Sequence, residues 1–117
     1  MIFCSKDEEG TPKWLKILEM KPTDVMVTRR LKPMVVGKTY AVCPNRGKKQ
    51  VCRIKCLSVI RHPDWLSSFD SAEYFGYALV VETKLEGFNS VPNWFAWYKE
   101  HKIDINKTWR CEFEGVF

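Results

Sequence analysis

The sequence predicts a small α+β domain in which short strands carry two later helices, and three observations predict it. Apolar and charged residues alternate across 50–61 and again across 108–113, the period-two pattern of a half-buried strand. Val91, Trp94, Phe95 and Tyr98 recur at i, i+3, i+4 and i+7, the stripe of a helix packed by one face. Between two strand-like runs, Pro44-Asn45-Arg46-Gly47 joins a residue of locked φ to two that tolerate positive φ, which makes a hairpin tip.

Taken in order, the chain starts with a short strand near 2–4, then the polar turn 6–12 with Asp7, Glu8, Glu9, Gly10 and Thr11, then a second segment near 14–20. A short strand covers 25–28 and is interrupted at Lys32-Pro33. Gly37-Lys38 forms a turn before the strand 39–43, and the hairpin tip leads into the strand 50–61. Asp70-Ser71-Ala72-Glu73 has the spacing of a capping box and Gly87 suits a helix stop, so 72–86 is read as helical, against the strand preference of Val80, Val81 and Thr83. Ser90 can cap a second helix over 91–102, with Pro92 in its first turn. The strand 108–113 sets Trp109, Cys111 and Phe113 against Arg110 and Glu112. The result is one domain over 1–117, built on a curved sheet or barrel.

Composition narrows the function classes. Five Trp, seven Phe and four Tyr among 117 residues supply a real core. No uninterrupted apolar stretch exceeds the five residues of 77–81, far short of a membrane span, and the start Met-Ile-Phe-Cys-Ser-Lys lacks the pattern of a secretory leader, so a cytoplasmic location and no membrane partner are expected. The five cysteines have no Cys-x-x-Cys and no His at ligand spacing; Cys52 and Cys56 fall on the apolar side of a strand, so reduced core thiols are expected, with no metal and no cofactor. Charge is strongly polarised. Ten of the nineteen Lys and Arg lie within 25–63, which has no acidic residue, while the other nine face all fourteen Asp and Glu. Such a region attracts polyanions, so nucleic acid is the first partner to consider.

The runs Val-Thr-Arg-Arg-Leu-Lys-Pro (27–33), Val-Gly-Lys-Thr-Tyr-Ala-Val (36–42), Asn-Arg-Gly-Lys (45–48), Cys-Arg-Ile-Lys (52–55), Glu-Gly-Phe (86–88) and Trp-Arg-Cys-Glu-Phe (109–113) occur in an order that resembles the ASCH domain family, a branch of the PUA-like superfamily. The resemblance covers about 14–114 and implies a small β-barrel with two or three short helices closing its ends. It also implies a cleft with the motif Gly-x-Lys-x-x-Glu or Thr-x-Arg. Thr28 and Arg30 match that motif, whereas Thr23 stands in place of the glycine and Val25 in place of the lysine. Some members deacylate modified cytidine with a lysine, a threonine and a glutamate, and a few cleave RNA. By position, Thr28 and Glu86 are the threonine and glutamate.

Two functions follow as expectations. The first is a non-catalytic module for RNA or a modified nucleoside, single-stranded rather than duplex. Arg29, Arg30, Lys32, Arg46, Lys48, Lys49, Arg53 and Lys55 would meet the nucleic acid, and Thr28, Arg30, Tyr40 and Glu86 would line a cleft for one unstacked base. The second is an amidohydrolase of an N4-acylated cytidine-type nucleoside. Here Thr28 is the nucleophile, Glu86 the acid or base, and Lys21 stands in for the absent lysine, because a threonine hydroxyl needs a base to attack at neutral pH. Glu86 also reads as the end of a helix at the rim, or as an ion-pair partner of Arg30. A protein-interaction or inhibitor module is a third possibility.

Overall fold

A computed structural model describes residues 1–3, 5–61 and 72–117, and of 72–78 the backbone alone. Helix α1 (Lys13–Leu18) precedes strands β1 (Val25–Arg30), β2 (Thr39–Val42) and β3 (Cys52–Arg61). Helices α2 (Ala72–Leu85) and α3 (Val91–Glu100), a 3-10 turn (Ile105–Lys107) and β4 (Trp109–Val116) follow among the described residues. The strands form a four-stranded antiparallel sheet in the order β1-β4-β3-β2. Among the described residues no helix is long and apolar enough to cross a membrane.

The α+β class and the later helices agree with the sequence reading, but the sheet is open where a closed barrel was expected. Its two edge strands take hydrogen bonds from other parts of the chain and do not pair with each other. On β2 the chain's amino group donates to the Ala41 carbonyl at 2.8 Å and the Cys43 amide to the Met1 carbonyl at 2.8 Å. On β1 the Lys13 ammonium takes the Val27 carbonyl at 2.7 Å. The segment near 14–20 is helical over Lys13–Leu18, and the expected strand near 2–4 is a single bridge between Ile2 and Cys43. Strand β1 runs two residues further than expected, to Arg30, and β4 runs on to Val116. Cys4, and Asp70 and Ser71 of the capping box, lie outside the described residues.

Strand register assigns the two faces. Met26, Thr28, Cys111, Phe113, Cys56 and Ile54 share one face. Against it pack Phe3, Ile17, Met20 and Met34 from the N-terminal segment, α1 and the loop after β1. Cys56 is fully buried in this core, while Cys52 is only half-buried; both are free thiols. The opposite face carries Val27, Arg29, Arg110 and Glu112, and α2 lies over it. Leu79, Phe88, Trp94 and Tyr98 form a second core among the helices.

Helix α2 holds despite its valines because its inward residues fall at helical spacing. Leu79, Glu82, Thr83 and Glu86 are buried at i, i+3, i+4 and i+7, whereas Val80 and Val81 are exposed. The helix stops where expected: Gly87 takes φ +96°, a left-handed turn that favours glycine. Ser90 caps α3 by accepting the Asn93 amide at 3.3 Å. A Cβ at Gly87 would also touch the Lys13 side chain at 3.5 Å. Gly87→Ala is expected to cost about 1–2 kcal/mol of stability, read from the urea midpoint, because a side chain strains the left-handed backbone; an unchanged midpoint would contradict this capping geometry.

Candidate functional site

The strongest electrostatic feature is buried beneath the helices. The Arg29 side chain is fully buried, yet its guanidinium meets Glu86 at 2.8 Å and Glu82 at 2.7 Å. Arg110 from β4 reaches Glu82 at 2.6 Å. Glu86 accepts two further hydrogen bonds, from the Trp94 indole at 2.6 Å and from the Tyr98 hydroxyl. Burial alone would raise the Glu82 pKa, but Arg110 and Arg29 hold it below its ordinary value. Burial pushes the Tyr98 hydroxyl well up, and the Glu86 charge adds to that. One polar atom of this network is left over: Arg29 Nε is buried without a hydrogen-bond partner among the described residues.

Beside this network, a cavity of about 540 Å³ runs along the β1 edge, at the seam between the two layers. Phe3 and Lys13 wall it on one side, Thr28, Arg29 and Arg30 along the strand, and Glu86, Phe88, Trp97 and Tyr98 on the helical side. Lys13 is held there by its own helix. Its amide donates to the Ser5 carbonyl at 2.8 Å, the next amide donates to Phe3 at 3.0 Å, and Lys16 ties the same helix to the Gly87 carbonyl at 2.7 Å. Burial pushes the Lys13 pKa down to about 8, against the pull of the nearby Glu86 charge. Lys13 bonds the carbonyl of the residue just before Thr28. Thr28 itself is buried, its backbone in the β1–β4 ladder, and its hydroxyl makes no hydrogen bond among the described residues.

The sequence-predicted residues divide into three groups. Thr28, Arg30, Lys32 and Glu86 do line the cavity. Arg29, expected to meet nucleic acid, is instead sealed inside, and it takes Glu86 in place of Arg30 because it projects to the α2 side of the sheet. Tyr40 is not in the cleft: β2 and β1 are opposite edges of the sheet, and the Tyr40 hydroxyl accepts the Val35 amide at 2.8 Å. Lys21 is exposed on the turn before β1, its amide bonded to the Asp24 carboxylate at 2.8 Å, and does not line the cavity. Val25 is exposed and three residues from Thr28, so a side chain there projects from the other face of the strand. Arg46, Lys48 and Lys49 are exposed at the hairpin tip; Arg53 and Lys55 are exposed on β3, towards the β2 edge and away from the cavity.

Lys13, Tyr98 and Trp97 are site residues that sequence reasoning missed. The available signal was Lys13 at i−4 to the apolar Ile17 in α1, a charge on an inward-facing position. No family model matches the chain, and comparisons with curated proteins and with solved structures give no match.

A lysine with a lowered folded-state pKa binds fewer protons than the unfolded chain between about pH 8 and the ordinary 10.5, so stability must rise with pH across that window. Urea denaturation from pH 7 to 10 is expected to show this rise in the wild type relative to Lys13→Met. Parallel pH profiles in the two proteins would contradict the burial of Lys13.

Proposed function

We propose that the chain binds a modified nucleoside, or one unstacked nucleotide of single-stranded RNA, in the cavity along β1. The observation that carries this reading is the cavity itself: aromatic walls at Phe3, Phe88 and Trp97, with hydrogen-bond donors on Lys13 and Thr28 along one side. Rings favour a flat heterocycle, and donors favour its carbonyl edge. The ASCH resemblance, with Thr28 and Arg30 in its motif, supports a nucleoside of the cytidine type and a PUA-like ancestry for the sheet. The exposed tip at Arg46, Lys48 and Lys49 serves a separate role, as a phosphate contact for longer RNA.

Calorimetric titration with cytidine and N4-acetylcytidine tests the cavity. Trp97→Ala is expected to weaken binding by about 1–3 kcal/mol, the loss of one stacking partner. With single-stranded RNA, replacing Arg46, Lys48 and Lys49 by Ala should reduce a salt slope of about −3 while leaving nucleoside affinity unchanged. Failure of both nucleosides to bind would contradict the reading.

Lys13 favours a second, catalytic reading. An amine that loses its proton near pH 8 bonds the Val27 carbonyl and lines the same cavity as Thr28, and it would be the base that neither Val25 nor Lys21 supplies. In that chemistry the Thr28 oxygen attacks the acyl carbonyl and neutral Lys13 takes the hydroxyl proton. Lys13 returns that proton to the departing N4 amine as the amide bond breaks, and water then cleaves the threonine ester. Glu86 is held by three donors and stabilises the cationic side chains instead of moving protons. The ultraviolet spectrum of N4-acetylcytidine follows turnover directly. The expected rate rises to a plateau above about pH 8 and vanishes in Thr28→Ala and Lys13→Met. Binding without turnover leaves the protein a binding module.

A further inference from the structure

We propose that the ligand of this cavity carries a phosphate monoester, held at the mouth by Arg30 and Lys32. This rests on the nucleoside reading above and names the class of compound more closely. The cavity lining holds four basic side chains, Lys13, Arg29, Arg30 and Lys32, against a single acid, Glu86. Arg29 is already compensated by Glu86 and Glu82, and Lys13 by the Val27 carbonyl. Arg30 and Lys32 are different. Neither forms an ion pair among the described residues, and no acid occurs anywhere in 25–63 to supply one. Elsewhere the fold pairs its partly buried cations, with Arg110 on Glu82 and Lys16 on Asp7. Arg30 is half-buried and Lys32 exposed, which puts them at the outer end of a cavity whose inner end holds Lys13 and Thr28.

The order along the strand matches the order of parts in a nucleotide. Thr28 and Arg30 project from the same side of β1, separated by about 6–7 Å, two residues of extended chain. At the inner end the polar groups are mainly donors, the Lys13 ammonium and the Thr28 hydroxyl. An acceptor-rich heterocycle edge suits that end, and an anion suits the other. A monoester suits two unpaired cations better than a diester, because it carries a charge near −2 at neutral pH, with a second ionisation near pH 6.

Calorimetry with cytidine, cytidine 5′-monophosphate and inorganic phosphate tests the proposal in the wild type and in Arg30→Gln/Lys32→Gln. The monophosphate is expected to bind at least about tenfold tighter than cytidine, an advantage that shrinks as pH falls from 7 to 5 and the monoester gains a proton. In the double variant the ratio of the two affinities should approach one. Short RNA with and without a 5′-phosphate separates the two sources of the group: a preference for the phosphorylated end over the free nucleotide assigns it to RNA, and the reverse to a free nucleotide. Equal binding of cytidine and its monophosphate by the wild type overturns the phosphate site while leaving the nucleoside reading intact. An advantage that survives in the double variant overturns the assignment to Arg30 and Lys32. Failure of every compound to bind overturns both.

Discussion

The buried guanidinium of Arg29 is the constraint around which the helical half of the molecule is arranged. A charge with no exposed side-chain surface is tolerable only with compensating groups in good geometry, since removing it from water costs several kcal/mol. Two carboxylates from one helix supply that compensation. Glu82 and Glu86 are four residues apart, so both look inward from α2 onto β1. Once they do, the other donors follow: Trp94 and Tyr98 turn the inner face of α3 toward Glu86, and Arg110 binds Glu82 to β4. One polar cluster thereby sets how two helices sit over two strands. The Arg29 guanidinium also lies 5.2 Å from the Trp94 ring, so the polar cluster and the aromatic core share a wall.

The cavity is a consequence of that arrangement on one side and of the N-terminal segment on the other. The helices cover β1 from one face, and Phe3 and Lys13 approach from the opposite layer, leaving the strand's unpaired edge between them. Lys13 performs two functions there. It satisfies an edge carbonyl that would otherwise invite another strand, and it brings into the cavity an amine that burial has made easy to deprotonate. Neither function needs the lysine to lie on β1. An amine from α1 can therefore enter the cavity although Val25, on β1, is exposed.

Much of the sheet and helix α3 were legible because apolar periodicity announced them, whereas α2 was read from its capping residues and the stop at Gly87. The alternation in 50–61 led to β3, and the Trp94 to Tyr98 stripe led to α3. The site was less legible, for a physical reason. Its key residues violate the pattern that makes sequences readable: Lys13, Arg29, Glu82 and Glu86 are charged side chains at inward positions. A charge in a sequence is assigned to the surface by default, which is why Arg29 was grouped with Arg53 and Lys55, and why Glu82 was passed over. Tyr40 failed differently. A closed barrel would bring β2 beside β1, and the open sheet separates them. Thr28 and Glu86 were singled out through the family resemblance and Arg30 also through charge, none of them through periodicity.

The claim most open to direct measurement is that Arg29 and Glu86 act as one buried unit. A double-mutant cycle of Arg29→Met and Glu86→Gln, followed by urea denaturation at pH 7, isolates their coupling from the cost of each truncation. The account predicts that each single variant loses about 3–5 kcal/mol, because each leaves a buried polar group without its partner, and that the double variant loses clearly less than the sum. Strictly additive losses, or single variants within about 0.5 kcal/mol of the wild type, the range of ordinary surface substitutions, would contradict it.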